Sequence, residues 1–249
     1  MRIAKWIGIL FVATLVSASV GIGAASAVNI DWLNMPPTPF GSSVPNGSVF
    51  NVAGIGNVTV TYSIPSTFTH SRLAGGVLQA GNLLSGAYSW TNFETFAGIL
   101  NSGPDPIVPV LWTITYTFPT TLPAGVVYVG VDGLGATTSF GGGASTARVN
   151  QNGTFLGDWS GGGGPWGPTQ YTGGPGFFQM QNSLTAPGGQ DPNWNTPLGV
   201  VQINDPVSSV TVIFNSLRGD GVGANIGFDA KGLTPAKGAS WGRLKASYR

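Results

Sequence analysis

Three runs of this chain alternate apolar and polar residues so strictly that they admit one backbone conformation. Asn57 to Ile64 sets Val58, Val60, Tyr62 and Ile64 against Thr59, Thr61 and Ser63. Val110 to Phe118 sets Val110, Trp112, Ile114, Tyr116 and Phe118 against a side that is mostly threonine, and Val207 to Asn215 sets Val210, Val212 and Phe214 against Thr211 and Ile213. In a strand successive side chains point to opposite faces, so this period buries one face and wets the other; a helix would scatter the same residues around its circumference. Val126 to Val131 reads as a more buried strand. Shorter strands are expected at Asn29 to Leu33, Val49 to Ala53, Tyr88 to Phe93, Thr146 to Asn150, Thr154 to Trp159, Phe177 to Gln181, Leu198 to Ile203 and Asn225 to Asp229. Asn92 to Leu100 is the one segment with helical character.

The 40 glycines and 18 prolines fall between these runs as turn signals. Such a composition approaches that of disordered chains, but 42% hydrophobic residues, 11% aromatic and only 8% charged exclude disorder. About a dozen short strands predict an all-β fold, two antiparallel sheets packed as a jelly-roll-like β-sandwich, with a closed barrel as the alternative. No internal repeat and no shift of composition divides it.

The ends differ from this body. Met1 to Ala27 has the form of a secretory signal peptide: Arg2 and Lys5, an apolar run from Trp6 to Val16, and the small-residue site Ala25-Ser26-Ala27. The apolar run is short for a membrane span, so the mature chain is expected to begin at Val28 and to be secreted, extracellular or held in the cell envelope. Val28 to Ala230 then carries nine acidic residues against Arg72, Arg148 and Arg218, whereas Lys231 to Arg249 carries five basic and no acidic ones. This reads as one acidic domain, residues 28–230, followed by a flexible basic tail, residues 231–249. Nucleic acid is not an expected partner of an acidic domain. The chain has no cysteine, and at this length a core forms without disulfides.

Gly157 to Gly176 reads as a long loop, because glycine and proline suit neither a helix nor a central strand. It carries Trp159, Trp166 and Tyr171, rings that either stack on flat ligands such as sugar faces or fold back over the core edge. Asp191, Asn193 and Asn195 around Trp194 supply hydrogen-bonding groups beside a further ring. These seven residues are the expected ligand-binding set, for a polysaccharide or cell-surface glycan. The alternative is a structural envelope or matrix protein with no small-molecule ligand.

Catalysis is not expected. His70 is the sole histidine, which leaves no zinc ligand set, and it would have to serve any serine triad without a nucleophile elbow in the chain. A glycosidase needs two carboxylates; Glu94 is the only glutamate, and Asp132 with Asp158 is the pair that one cleft would have to unite. Gly130 to Gly135 lacks the helix that a dinucleotide loop requires. No cofactor is expected, although the oxygen-rich segments Asp191 to Asn195 and Asp220 to Asn225 with Asp229 admit a structural calcium or simple turns. Arg218-Gly-Asp220 and the sequons at Asn46, Asn57 and Asn152 carry no assignment.

The closing run SSVTVIFNSLRGDGVGANIGFDA, Ser208 to Ala230, resembles the final hairpin of bacterial exported β-sandwich proteins that often bear PEP-type sorting tails. The resemblance implies a β fold and export. The chain departs from that class after Ala230, where neither Pro-Glu-Pro nor an apolar span follows.

Overall fold

The three alternating runs are strands, and they lie side by side in one sheet. The computed structural model describes residues 27–35, 43–65, 73–78, 81–83, 86–99, 110–137, 143–160, 167–183, 193–217, 221–229 and 231. The expected signal peptide up to Ser26, His70 and nearly all of the basic tail lie outside them. Among the described residues the fold is all-β, and no helix is long and apolar enough to cross a membrane.

The sheet that holds these runs has seven strands. In spatial order they are β14 (Thr169–Gly174), β15 (Phe177–Asn182), β12 (Thr146–Val149), β18 (Val207–Ser216), β8 (Val110–Leu122), β3 (Gly56–Ser63) and β2 (Ser48–Val52). A second sheet has nine, with β13 (Gly153–Trp159), β17 (Leu198–Ile203), β9 (Val127–Asp132), β19 (Gly221–Asp229), β1 (Val28–Trp32), β6 (Tyr88–Trp90) and β5 (Gly81–Asn82) in that order. Its last two are β7 (Phe93–Ile99), which pairs with β19, and β4 (Leu73–Leu78), which pairs with β7. A third, small sheet joins β10 (Gly135–Thr137), β11 (Gly143–Ala144) and β16 (Asn193–Asn195). The pairing is antiparallel except between β1 and β6, which run parallel. The expectation of two antiparallel sheets is thus too simple by one small sheet and one parallel pair.

Buried residues from both large sheets form one cluster: Val58, Trp112, Ile114, Tyr116 and Phe214 from the seven-stranded sheet, and Val129, Val201, Ala224, Ile226 and Phe228 among those from the nine-stranded one. Ring pairs cross the gap, with centroids 6.2 Å apart for Phe96 and Tyr116 and 5.8 Å apart for Phe118 and Phe228. Tyr116 also donates its hydroxyl to the Ala224 carbonyl at 3.1 Å. Outward, the seven-stranded sheet presents its threonines; the Thr115 and Thr211 hydroxyls share a hydrogen bond of 2.9 Å. Inward burial with outward hydroxyls is the arrangement that period 2 dictates.

The nine-stranded sheet is apolar on both faces. Val127, Val129 and Val131 face the shared core, whereas Tyr128 joins a second cluster with Ile30, Trp32, Leu83, Trp90, Phe93, Leu198 and Val200. β7 is caught between the clusters: Phe93 belongs to the outer one and Phe96 to the inner one, both fully buried. A strand buried on both sides has no polar period, and for that reason Asn92 to Leu100 reads as helical from sequence while it folds as β7.

Two further expectations need correction. Gly157 to Gly176 is not one loop: its start belongs to β13, and Thr169–Gly174 is the edge strand β14, paired with β15. An edge strand has only one ladder to maintain and tolerates glycine there. The closing run is not a hairpin either. β18 lies in the seven-stranded sheet and β19 in the nine-stranded one, so the chain crosses between sheets after Leu217.

Candidate functional site

Of the seven expected binding residues, the side chains of Trp159, Tyr171 and Asn195 are described, and a bulge in β13 sets where Trp159 goes. Phe155 pairs with Val201, but Gly157 pairs with Val200, so the register slips by one residue at Leu156. Gly157 adopts φ of 132°, a conformation other residues rarely take. The slip exchanges the faces of all that follows. Trp159, which would otherwise share the inner face with Phe155, pairs with Leu198 and joins the outer cluster. There it meets Trp90 edge-on, with centroids 5.4 Å apart, and remains half-buried.

Tyr171 goes the other way. It stacks on Phe155 at 5.4 Å and Phe178 at 6.2 Å, and its hydroxyl donates to the Gly153 carbonyl at 2.6 Å. Burial raises its pKa above the ordinary tyrosine value. This ring packs against the core edge and is partly buried. Trp166 and Asp191 lie outside the described residues, and of Asn193 and Trp194 the backbone alone is described, in β16. Asn195 is exposed, and its carbonyl accepts from the Gly167 N–H at 2.9 Å. The end of the aromatic loop therefore meets β16, so two segments read separately from the sequence are neighbours in the fold.

The acid pair fares no better. Asp158 pairs with Gly199 and Gly199 with Val131, a core residue, so Asp158 faces inward while Asp132, the residue after Val131, faces outward. Asp158 accepts from the Thr169 N–H at 2.9 Å across the loop base, and burial raises its pKa. Asp132 is half-buried beside Thr95, whose hydroxyl donates to it at 3.2 Å; burial pushes its pKa up to about 6. The two carboxylates lie on opposite faces of one sheet and cannot share a substrate. The second calcium segment also opens out. Asp220 lies outside the described residues, and Asn225 and Asp229 stand four residues apart along β19, about 13 Å at the rise of a strand. Among the described residues no three His, Cys, Asp or Glu side chains gather as a metal site.

A concave site does exist where the sequence offered no motif. β19 pairs with β7 through Ala224 and with β1 from Gly227 onward, so its two neighbours part at Asn225. Asn225 is fully buried and closes this fork: its side-chain amide donates to the Leu33 carbonyl at 2.9 Å and to the Glu94 carbonyl, and its oxygen accepts from the Ile226 N–H at 2.8 Å. Beside the fork lies a cleft of about 150 Å³ lined by Ile30, Asp31, Trp32, Asn34, Thr91, Asn92 and Glu94. The Glu94 side chain is 9% exposed, and its carboxylate accepts from the Met35 N–H. Asp31, Asn34, Thr91 and Asn92 are exposed.

Trp32 forms the apolar wall. Its ring lies directly on glycine backbone, since a Cβ on Gly227 would come within 2.7 Å of it and one on Gly130 within 2.9 Å. It meets Trp90 edge-on at 6.3 Å, and Trp90 meets Trp159. The indole N–H groups of Trp32 and Trp90 are buried without a hydrogen-bond partner among the described residues. A row of three indoles thus runs along the outer face from the cleft to the start of the aromatic loop. Comparison with protein-family models, curated proteins and solved structures finds no match to this chain.

Proposed function

We propose that the chain is an exported, non-catalytic module with a jelly-roll-like β-sandwich fold that binds a polysaccharide or cell-surface glycan on the outer face of its nine-stranded sheet. The observation that carries this reading is the cleft beside Trp32, where an indole adjoins two carboxylates, two amides and a hydroxyl. Sugars present apolar ring faces edged by hydroxyl groups, and a site of this composition offers a partner to each. The row from Trp32 through Trp90 to half-buried Trp159 backs this face from within, Trp32 being 8% and Trp90 3% exposed. Export rests on the sequence of Met1 to Ala27, and mass spectrometry of the mature chain starting at Val28 tests it. The basic tail, Lys231 to Arg249, adds attraction to anionic envelope polymers in this reading.

A glycan array with the mature protein tests the binding. Signal is expected for a defined glycan class, without release of reducing sugar, and Asn34→Ala with Asn92→Ala is expected to weaken it about tenfold, or about 1.4 kcal/mol. No signal on the array, together with self-assembly in light scattering, would establish the structural envelope reading instead.

A further inference from the structure

We infer that the cleft beside Trp32 selects a sugar bearing a free, protonated amine. The inference rests on the glycan reading and adds the charge of the ligand. Two carboxylates, Asp31 and Glu94, line the cleft, and no cationic side chain does among the described residues. Among the described residues the Glu94 carboxylate has one donor, the Met35 N–H, which leaves acceptor capacity on a residue that is more than nine-tenths buried. Asp31 accepts from Asn29 at 2.6 Å and is exposed. A buried carboxylate is costly unless it is paired and hydrogen-bonded. An ammonium group answers that need with charge-assisted bonds.

The remaining walls agree. An indole face attracts a cation through its ring quadrupole, and Trp32 stands in the same cleft as both carboxylates. The side-chain amides of Asn34 and Asn92 and the Thr91 hydroxyl complement the ring hydroxyls of a sugar. The size is selective as well. About 150 Å³ lies below the roughly 300–1,000 Å³ of pockets for drug-sized ligands, so the cleft holds one ring or its edge rather than a length of polymer. Uronic and sulfated sugars are disfavoured, because their anionic groups would face two carboxylates without a cation between them.

Isothermal titration with a glucosamine tetrasaccharide and its fully N-acetylated counterpart tests the inference. The amine form is expected to bind at least about tenfold more tightly, with an advantage that shrinks as salt rises. Asp31→Asn and Glu94→Gln should each erase that preference; glutamine retains an oxygen for the Met35 N–H, and exposed Asp31 can be changed without disturbing the core. Equal binding of the two forms would overturn the amine selection and leave glycan binding standing. A preference that survives both substitutions would also overturn it, by placing the selection elsewhere. Binding of neither saccharide, nor of any on the array, would remove the glycan reading and the inference together.

Discussion

Asn225 holds Leu33 across 192 positions of sequence, its side-chain amide 2.9 Å from the Leu33 carbonyl. That bond fills the place where β7 and β1 part, and the same amide reaches the Glu94 carbonyl. The wall of the cleft therefore depends on one buried side chain. Removing it leaves two carbonyls and the Ile226 N–H without these partners in the interior. Asn225→Ala is expected to destabilise the protein by about 3 kcal/mol, from the cost of orphaned buried polar groups. Urea unfolding measures this, and a loss below about 0.5 kcal/mol, the range of ordinary surface changes, would show that the fork closes without Asn225.

Gly157 decides which way Trp159 faces. Its φ of 132° sustains the bulge, and no atom lies within 4 Å of the place a Cβ would occupy. The cost of Gly157→Ala is thus backbone strain alone, about 1–3 kcal/mol. Loss of the bulge would also turn Trp159 away from Trp90. Near-ultraviolet circular dichroism should lose the contribution of that indole pair; an unchanged spectrum with unchanged stability would refute this role.

How much of the fold is legible in the sequence follows from which faces are wet. β3, β8 and β18 have one solvated face each, and their threonines and serines mark it. β7 lacks that mark because Phe93 and Phe96 enter different cores. β14 is hidden by its glycines, and the bulge that sends Trp159 outward is one residue of register that no periodicity reveals. The cleft is illegible for another reason. Asp31, Asn34, Thr91 and Asn92 are ordinary residues of strand ends and turns, and only the pairing of β1 with β19 and with β6 brings the two segments together.

Asp132 gives stability a dependence on pH. Burial raises its pKa to about 6 in the folded protein, against an ordinary value of 3.8. A raised folded pKa means that the native state holds the proton more tightly, so its contribution is complete below about pH 4 and is lost as pH rises through about 6. Asp132→Asn removes the titration and keeps an oxygen for the Thr95 hydroxyl. The variant should melt higher than the parent protein above about pH 6, with the difference vanishing near pH 4. A constant difference across that window would show that Asp132 does not titrate within it.

Asp205 has the opposite sign. Its carboxylate accepts from the Asn152 backbone N–H at 2.6 Å and from the Asn152 side-chain amide at 2.9 and 3.1 Å, joining two turns. The Asn152 side-chain bond, followed by the backbone bond, lowers the Asp205 pKa. A depressed folded pKa contributes stability above the unfolded value, and that contribution disappears as pH falls through the folded one. Asn152 also accepts from the Gly176 N–H at 2.8 Å, so its oxygen and its amide serve different turns. Asp205→Asn keeps one acceptor and loses the charge. It should lower the melting temperature at neutral pH, and the gap to the parent protein should close as pH falls below 3.8 and through the folded value, where both proteins become uncharged at this position. Melting curves at neutral pH and on the acid side of that range decide the matter: a gap of equal size at both would assign the effect to geometry and not to the carboxylate's charge.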